Sequence, residues 1–208
     1  MAGKRGKGRK RVAARKKAGG SAAREETKKR SPWLFPGLLL LVAAIAVGWA
    51  LSRRQNEGAY SAVETVKIET SKGDILMEVY PEKMPITARN FLDLVKRGFY
   101  DGLTWHRVED WVVQTGDPEG TGSGGSGKTI KLETHDDLKN VEGAVGMARS
   151  DAPDSATSQF YILKKEAAWL DGGYAIFGKV NEESMDVVNR LAIGDKMNKV
   201  TIVPKSSD

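Results

Sequence analysis

Apolar and polar residues alternate with a period of two in several short runs from residue 66 onward. Two such runs, residues 66–70 and 74–80, flank the turn sequence Ser71-Lys72-Gly73. Alternation on both sides of a glycine-containing turn predicts a β-hairpin. Further runs rich in aromatic and β-branched residues predict strands at 105–108, 111–115, 129–133, 144–148, 159–163 and 200–203.

Two other segments have a helical period. Apolar side chains of residues 87–97 fall on one face of a helix, with Pro85 and Gly98 placed where helices begin and end. Residues 184–192 predict a second, shorter helix. Many strands with few helices indicate a mostly β fold, a closed antiparallel barrel with helices covering its open ends.

Residues 33–52 are apolar without alternation, a run of 20 positions that carries no charge. Such a run can cross roughly 30 Å of hydrocarbon. Trp33 and Trp49 lie near its two ends, where interfacial aromatic residues are expected. We therefore predict an uncleaved transmembrane helix. A cleavable signal peptide, whose apolar core usually spans about 7–15 residues, and a buried globular helix are the alternatives.

Charge is divided unevenly along the chain. The whole chain holds 33 Lys and Arg against 27 Asp and Glu, yet residues 1–54 contain 15 of the basic residues and two of the acids. Residues 1–32 contain almost no large apolar side chain and predict a disordered tail. Dense positive charge before an apolar segment keeps the N-terminus in the cytoplasm. We therefore expect a single-pass protein of the cell membrane with its folded domain outside the cytoplasm.

The basic tail also suggests nucleic-acid binding, because lysine and arginine neutralise phosphates. No aromatic residue interleaves these charges before Trp33, so base stacking is not available to residues 1–32. We expect no specific nucleic-acid partner. Residues 53–63 then form a polar linker, and residues 64–208 form one domain with a core of ordinary size.

Composition narrows the chemistry further. The chain has no cysteine and only two histidines, His106 and His135. These counts exclude disulfides, thiol catalysis, thiolate metal sites and multi-histidine metal sites. We expect neither a metal nor a cofactor.

Residues 122–129 match the phosphate-binding pattern G-x-x-x-x-G-K-[ST]. A P-loop follows a buried strand and opens a helix, whereas the residues after Lys128 alternate like a strand. Nucleotide binding is therefore the least favoured function, and it would require a helix after Thr129.

The stretch 105–125, WHRVEDWVVQTGDPEGTGSGG, places polar groups on predicted strands ahead of a glycine-rich loop. Burial of an unpaired guanidinium is costly, so Arg107 must find partners or face a cleft. Arg107 is either a structural ion-pair partner or a functional cation, and His106 is more simply explained as structural.

This stretch resembles a signature of the cyclophilin family of peptidyl-prolyl cis–trans isomerases, approximately F-H-R-[IV]-x-x-x-F-x-x-Q-x-G-D-x-x-x-x-G-x-G-G. Two more signatures follow in the family's order, and the resemblance covers about residues 66–203. The matching positions are 105–108, Trp111, Gln114, 116–117 and 122–125, then 146–149 and 158–162, then 169–172, Tyr174 and 177–180.

The resemblance implies an eight-stranded antiparallel barrel capped by two helices. It implies that the protein accelerates rotation about X–Pro bonds in unfolded or exported polypeptides, and the compact domain indicates a bacterium. Arg107 would be the catalytic cation, with Gln114 orienting it and holding the substrate backbone. The resemblance further implies a proline pocket and peptide groove formed by Trp111, Val112, Ala148, Arg149, Gln159, Tyr161, Trp169, Leu170 and Tyr174. Trp169 matches a tryptophan of family members that bind cyclosporin, so cyclosporin-type inhibitors are candidate partners.

The chain departs from the family pattern near Arg107. The segment from Arg107 to Gln114 is one residue shorter than usual, with Glu109 and Asp110 in its turn. An acid that pairs with Arg107 would draw it from the groove. A proline-binding chaperone or scaffold with little catalysis is therefore the alternative to an enzyme.

Three further departures concern the groove itself. Trp111 and Tyr161 replace phenylalanines, and Arg149 stands where asparagine is frequent. These changes bear on rate and specificity more than on fold. Without the resemblance, Trp111, Tyr161 and Leu170 would be interpreted as core residues, since aromatic residues on strands usually are.

Overall fold

The computed structural model describes residues 60–204, which form eight strands and two α-helices. The strands are β1 (Glu64–Thr70), β2 (Gly73–Val79), β3 (Arg107–Val108), β4 (Val112–Thr115), β5 (Ala144–Met147), β6 (Phe160–Leu163), β7 (Ala175–Val180) and β8 (Met197–Val203). The helices are α1 (Thr87–Lys96) and α2 (Met185–Arg190).

The predicted tail 1–32, the apolar segment 33–52 and residues 53–59 of the linker lie outside the described residues. Between residues 60 and 204, no helix has both the length and the apolar character needed to cross a bilayer.

All strands belong to one antiparallel sheet in the order β3-β4-β6-β5-β7-β2-β1-β8. The two edges approach each other through a bridge between Thr104 and Lys196. Backbone bonds add to this bridge, with the Trp105 N–H donating to Asp195 O at 2.8 Å and the Gly194 N–H to Trp105 O at 3.0 Å. The sheet is thus a curled half-barrel whose edges approach each other beside β3 through these contacts, not the closed barrel that we expected.

The hairpin β1–β2, the helices α1 and α2, and the strands β5, β6 and β8 confirm the sequence predictions. Two predicted strands are wrong in extent. Residues 129–133 form only a single bridge, from Ile130 to Ala156, because the Leu132 N–H donates to the side chain of Asp154 at 2.9 Å instead of to a strand. Residues 105–108 shorten to the two residues of β3, because Trp105 takes its backbone partners from residues 194–195.

Alternation along the strands divides the sheet into two faces. The inner face forms the main core, in which Phe91 from α1 packs against the rings of Tyr100, Phe160 and Phe177 with centroids 5.0–5.3 Å apart. Burial of such aromatic surface is a large part of the stability of a small domain.

The outer face of β4, β5, β6 and β7 has a second, smaller apolar cluster. Its buried members are Val112, Ala144, Tyr161, Leu163, Ala167 and Ile176, with Trp111, Leu138, Ala148, Leu170 and Tyr174 packed against them. A one-residue step along each strand separates the two clusters. The sheet therefore supports a second apolar surface outside its main core.

Candidate functional site

The β3–β4 hairpin sets the position of Arg107. Arg107 pairs with Gln114 and Val108 with Val113, and the Glu109 N–H donates to Val112 O at 2.8 Å. Only two residues then remain in the turn, which is how the shortened segment is accommodated. Trp111 consequently lies in the turn, where the sequence had predicted strand.

Two side chains hold the guanidinium of Arg107. Its Nε donates to Glu109 Oε1 at 2.7 Å, and its Nη1 donates to Gln114 Oε1 at 3.3 Å. The second oxygen of Glu109 accepts a hydrogen bond from Trp111 Nε1 at 2.8 Å. Glu109 thus bridges the arginine and the tryptophan, and the hydrogen bond from Arg107 lowers the pKa of its carboxyl group.

The pairing of Arg107 with an acid, which the sequence raised as a doubt, is present in the structure. It does not remove the guanidinium from the site, because Arg107 also bonds to Gln114 and its Cζ lies 5.3 Å from the centroid of the Trp111 ring. Both members of the ion pair are exposed, with 41% of the Arg107 side chain and 44% of the Glu109 side chain accessible.

Gln114 and Gln159 connect the hairpin to the glycine-rich loop. Gln114 Nε2 donates to Gln159 Oε1 at 2.8 Å. Gln159 Nε2 in turn donates to the carbonyls of Gly122 and Gly124 at 2.9 and 2.8 Å. Both amides are therefore oriented by partners at each end, so Gln114 presents a defined acceptor to Arg107.

Asp117 organises the glycine-rich loop. Its buried carboxylate accepts backbone N–H bonds from Glu119 at 2.8 Å, Thr121 at 2.9 Å and Gly122 at 2.6 Å. Burial opposes ionisation, but these bonds outweigh it and lower the pKa of Asp117. After Thr129 the chain continues through bends and turns to β5 without a helix, so the nucleotide-binding alternative lacks the element it requires.

Tyr161 forms the floor of the predicted proline pocket and is only 4% exposed. A Cβ on Gly146 would overlap its ring, so the glycine is what admits the ring at this depth. The hydroxyl donates to Asn140 Oδ1 at 2.8 Å, and Asn140 donates its N–H and Nδ2 to Asp171 Oδ1 at 2.8 and 2.9 Å. Burial raises the pKa of Tyr161, and the bonds from Asn140 lower the pKa of Asp171.

The other residues of the predicted pocket differ in exposure. Val112 is 1% exposed and belongs to the apolar base, whereas Leu170 is half-buried at the rim. Trp169 is 70% exposed, with its ring 5.6 Å from that of Trp111. The two tryptophans therefore form an aromatic edge beside Arg107.

Ala148, Arg149 and Tyr174 continue the site away from Arg107. The Ala148 N–H donates to Gln159 O at 2.9 Å, and the Arg149 Cζ lies 4.7 Å from the centroid of the Tyr174 ring. Tyr174 in turn contacts Tyr161, with ring centroids 6.0 Å apart. All eleven residues predicted from the sequence thus lie on one connected surface or in the apolar base beneath it.

His106 lies beside this surface and is half-buried. Burial lowers its pKa, against the opposing effect of Asp117. A neutral imidazole next to the glycine-rich loop fits the structural role expected for this residue.

Sequence reasoning assigned no role to three residues that support the site. Asp117 and Asp171 lie within the matched signatures, and that position could have indicated their role. Asn140 lies outside all of them, and its bonds to Asp171 and Tyr161 span 31 and 21 positions. No local pattern in the sequence indicates such contacts.

Comparison with known proteins agrees with this geometry. Residues 65–206 match the family model described as cyclophilin type peptidyl-prolyl cis-trans isomerase/CLD. The peptidyl-prolyl cis-trans isomerase of Helicobacter pylori is 37% identical over 154 residues, covering 73% of this chain and 93% of its own. Peptidyl-prolyl cis-trans isomerase ppi1 of Schizosaccharomyces pombe is 43% identical over 132 residues, covering 62% of this chain and 84% of its own.

A solved structure is similar as well. The cyclophilin type peptidyl-prolyl cis-trans isomerase of Cryptosporidium parvum, crystallised in the presence of the dipeptide Ala-Pro, superposes with a TM-score of 0.63 at 28% identity. The alignment covers 68% of this chain and 99% of that one. This chain belongs to the cyclophilin-type peptidyl-prolyl cis–trans isomerases.

Proposed function

We propose that Arg107 is the catalytic residue of this isomerase and that it acts by stabilising a twisted X–Pro amide without a covalent intermediate. The observation that carries the proposal is the placement of its guanidinium over Trp111, at the edge of the apolar cluster on the outer face of the sheet. Glu109 and Gln114 hold Nε and Nη1, which leaves the Nη2 amino group for a substrate.

Isomerisation of an X–Pro bond requires little more than a fixed positive charge beside the amide nitrogen. Partial double-bond character gives the X–Pro amide a rotation barrier of about 18–20 kcal/mol. As the amide twists, its nitrogen becomes pyramidal and gains a lone pair that a fixed cation can stabilise. An enzyme that binds this twisted form better than either planar form lowers the barrier. Arginine suits the role because its planar guanidinium is always charged.

Proline would enter the pocket formed by Trp111, Tyr161 and Leu170, over a base that includes Val112. The flanking peptide would lie along Ala148, Arg149 and Gln159, with Gln114 holding its backbone. Support comes from the Ala-Pro dipeptide used with the Cryptosporidium parvum relative. Proline-containing polypeptides in unfolded or extended form are the substrates we propose.

A proline-binding chaperone or scaffold with slow catalysis is the second candidate. The ion pair between Arg107 and Glu109, at 2.7 Å, favours it, because the carboxylate offsets part of the charge available to the amide. Peptide binding needs only the pocket and the groove, whereas catalysis needs the guanidinium at the amide nitrogen.

An exchange measurement separates the two candidates. Full-length protein is added at substoichiometric concentration to a short Ala-Pro peptide, and NMR exchange spectroscopy gives the cis–trans rate. Uncatalysed exchange takes tens to hundreds of seconds, so acceleration at catalytic concentration supports the enzyme. Binding without acceleration would favour the scaffold.

We also propose that residues 33–52 anchor the domain 64–208 in the cell membrane, with tail 1–32 in the cytoplasm and linker 53–63 outside it. Uncharged length, terminal tryptophans and the basic flank support this arrangement. The expected client proteins are then newly exported chains of a bacterium. Resistance to alkaline extraction, with protease access to the domain in spheroplasts, is the expected result; release in a shortened form would indicate a cleaved signal peptide.

Cyclosporin-type inhibitors are a further proposed ligand. Trp169 is highly exposed beside Trp111, so an apolar cyclic peptide could contact both rings. Inhibition that weakens in Trp169→Ala, with the exchange rate of a short peptide retained, would support this contact. Equal inhibition of the variant would contradict it.

A further inference from the structure

Arg149 is held firmly at the end of the groove away from Arg107. Its Nε donates to Gly173 O at 2.7 Å, and its Nη1 donates to Ser150 O at 2.8 Å and Asp151 O at 3.2 Å. The guanidinium also lies over the Tyr174 ring. A side chain fixed in this way loses little conformational entropy when it binds a ligand.

Arg149 forms no ion pair with an acid among the described residues. Its partners are backbone carbonyls and an aromatic ring, and no ion pair found within residues 60–204 includes it. Arg107, by contrast, is paired with Glu109. The Nη2 group of Arg149, which lies near Gly173, remains to donate hydrogen bonds. Arg149 therefore presents an oriented positive charge.

This charge lies between two parts of the site. On one side, Tyr174 connects Arg149 to Tyr161 at the floor of the proline pocket. On the other, Arg149 lines a cavity of about 700 Å³ whose lining is otherwise mostly glycine, serine, threonine and glutamine. Glu119, from the glycine-rich loop, is the other charged residue of that lining. A peptide with proline over Tyr161 would bring its flanking side chains past Arg149.

We propose that Arg149 makes the groove selective for peptides that carry Asp or Glu within two residues of the proline. The Nη2 group can donate charge-assisted hydrogen bonds to a carboxylate, and these bonds are stronger than those to a neutral glutamine side chain. The inference rests on the proposed function and adds a substrate class to it. For a half-exposed arginine we expect a preference of roughly threefold to tenfold.

The test compares matched peptides on full-length protein. The two peptides of a pair differ only in having Glu or Gln at one position, which is one or two residues before or after the proline. NMR exchange spectroscopy gives kcat/KM for each peptide. Wild-type protein should favour Glu at one position or more, and added salt should reduce the ratio. The ratio of kcat/KM for the Glu peptide to that for the Gln peptide should fall to about one in Arg149→Gln. In Arg149→Lys, which keeps the charge, the ratio should lie between one and the wild-type value.

Two further variants sharpen the comparison. Arg190→Gln removes the same charge from an exposed arginine on α2 and should leave the ratio at its wild-type value. Glu119→Gln removes the acid from the cavity lining and should increase the ratio. If thermal melting shows that Arg149→Gln is unfolded, the Arg149→Lys variant and the salt series decide.

A ratio of one in the wild type, or a ratio unaltered by Arg149→Gln, would overturn the inference. Rapid isomerisation of the Gln peptides with no Glu preference would leave the proposed function standing and remove only the selectivity. If no peptide is isomerised, the proposed function fails. NMR titration of the protein with the same peptides then gives their dissociation constants. A Glu preference in those constants that Arg149→Gln abolishes would still support the acidic subsite, and equal constants would reject it.

Discussion

Two polar networks border the pocket, and they differ in burial more than in geometry. On one side, Glu109 and Gln114 hold Arg107 at 2.7 and 3.3 Å, with the ion pair more than 40% exposed. On the other, Asn140 joins Tyr161 to Asp171 at 2.8 and 2.9 Å, with Asn140 1% exposed.

Because the two networks differ in burial, we expect one to affect catalysis and the other to affect stability. Exposed ion pairs contribute little to stability because water and salt screen them. A buried polar group that loses its partner costs about 1–3 kcal/mol. Changes near Arg107 should therefore alter catalysis without altering stability, whereas changes near Asn140 should destabilise the domain.

The largest expected loss of stability comes from Gly146→Ala. The added Cβ overlaps the Tyr161 ring, so the ring must move and its hydroxyl loses Asn140. Overpacking of this kind costs about 1–3 kcal/mol, and the lost bond adds to it. Gly173→Ala is the matched control, since the nearest atom to its Cβ would be Leu170 O at an ordinary 3.5 Å. Denaturant unfolding measures both, and equal stability of the two variants would contradict the packing at Gly146.

Asn140→Ala should cost about 1–3 kcal/mol in the free energy of unfolding, because the buried Tyr161 hydroxyl is left without its acceptor. Tyr161→Phe removes that hydroxyl, so the double variant should regain part of the loss. A double-mutant cycle in urea measures the coupling. Strict additivity of the two changes would mean that the hydrogen bond contributes nothing.

Glu109→Gln tests the exposed network. Removing the carboxylate charge frees more of the Arg107 charge for the amide, and we expect kcat/KM to rise by about two- to fivefold with an unchanged melting temperature. Asp110→Gln, which removes a neighbouring charge that pairs with Lys165, is the control. A clear fall in kcat/KM would show instead that Glu109 is needed to orient Arg107.

The smallest effect is expected from pH. Burial lowers the pKa of His106 from its ordinary value of 6.5, so the ring is neutral at neutral pH and isomerisation should lack an inflection near pH 6.5. Because the folded state disfavours protonation, stability is full above pH 6.5 and declines as pH falls through the folded pKa. NMR titration of the ring and thermal melting against pH check both points. A bell-shaped rate profile centred near neutrality would indicate a proton-transfer role.

Local signals predicted the elements with a clear period. Alternation predicted the β1–β2 hairpin, and apolar residues three and four positions apart predicted the helix α1. The strand β7 (Ala175–Val180) was matched only as a motif, because it is buried on nearly every residue and shows no alternation. Residues 129–133 alternate as a strand does, yet a side chain supplies the bond that a ladder would have made at Leu132.

The site shows the same division. Resemblance to a family selected eleven residues that the structure connects through contacts, because those residues lie within the stretches that carry the signatures. The departure from the family pattern raised the pairing of Arg107 with Glu109 or Asp110, but nothing in the sequence indicated that Glu109 also binds Trp111. Nor did it indicate Asn140, whose partners are distant in sequence. Local sequence patterns do not predict contacts between residues that are distant in the sequence and meet only in the folded domain.

The proposed mechanism requires that Arg107 stabilise the twisted amide more than the bound ground state. The most direct measurement is NMR exchange on one Ala-Pro peptide with wild type, Arg107→Ala and the surface control Arg190→Ala, which gives the exchange rate and the dissociation constant together. We expect Arg107→Ala to lose on the order of a hundredfold in rate, with peptide affinity and melting temperature close to those of wild type and Arg190→Ala. A rate that survives in Arg107→Ala, or one that falls only in proportion to lost affinity, would contradict the account.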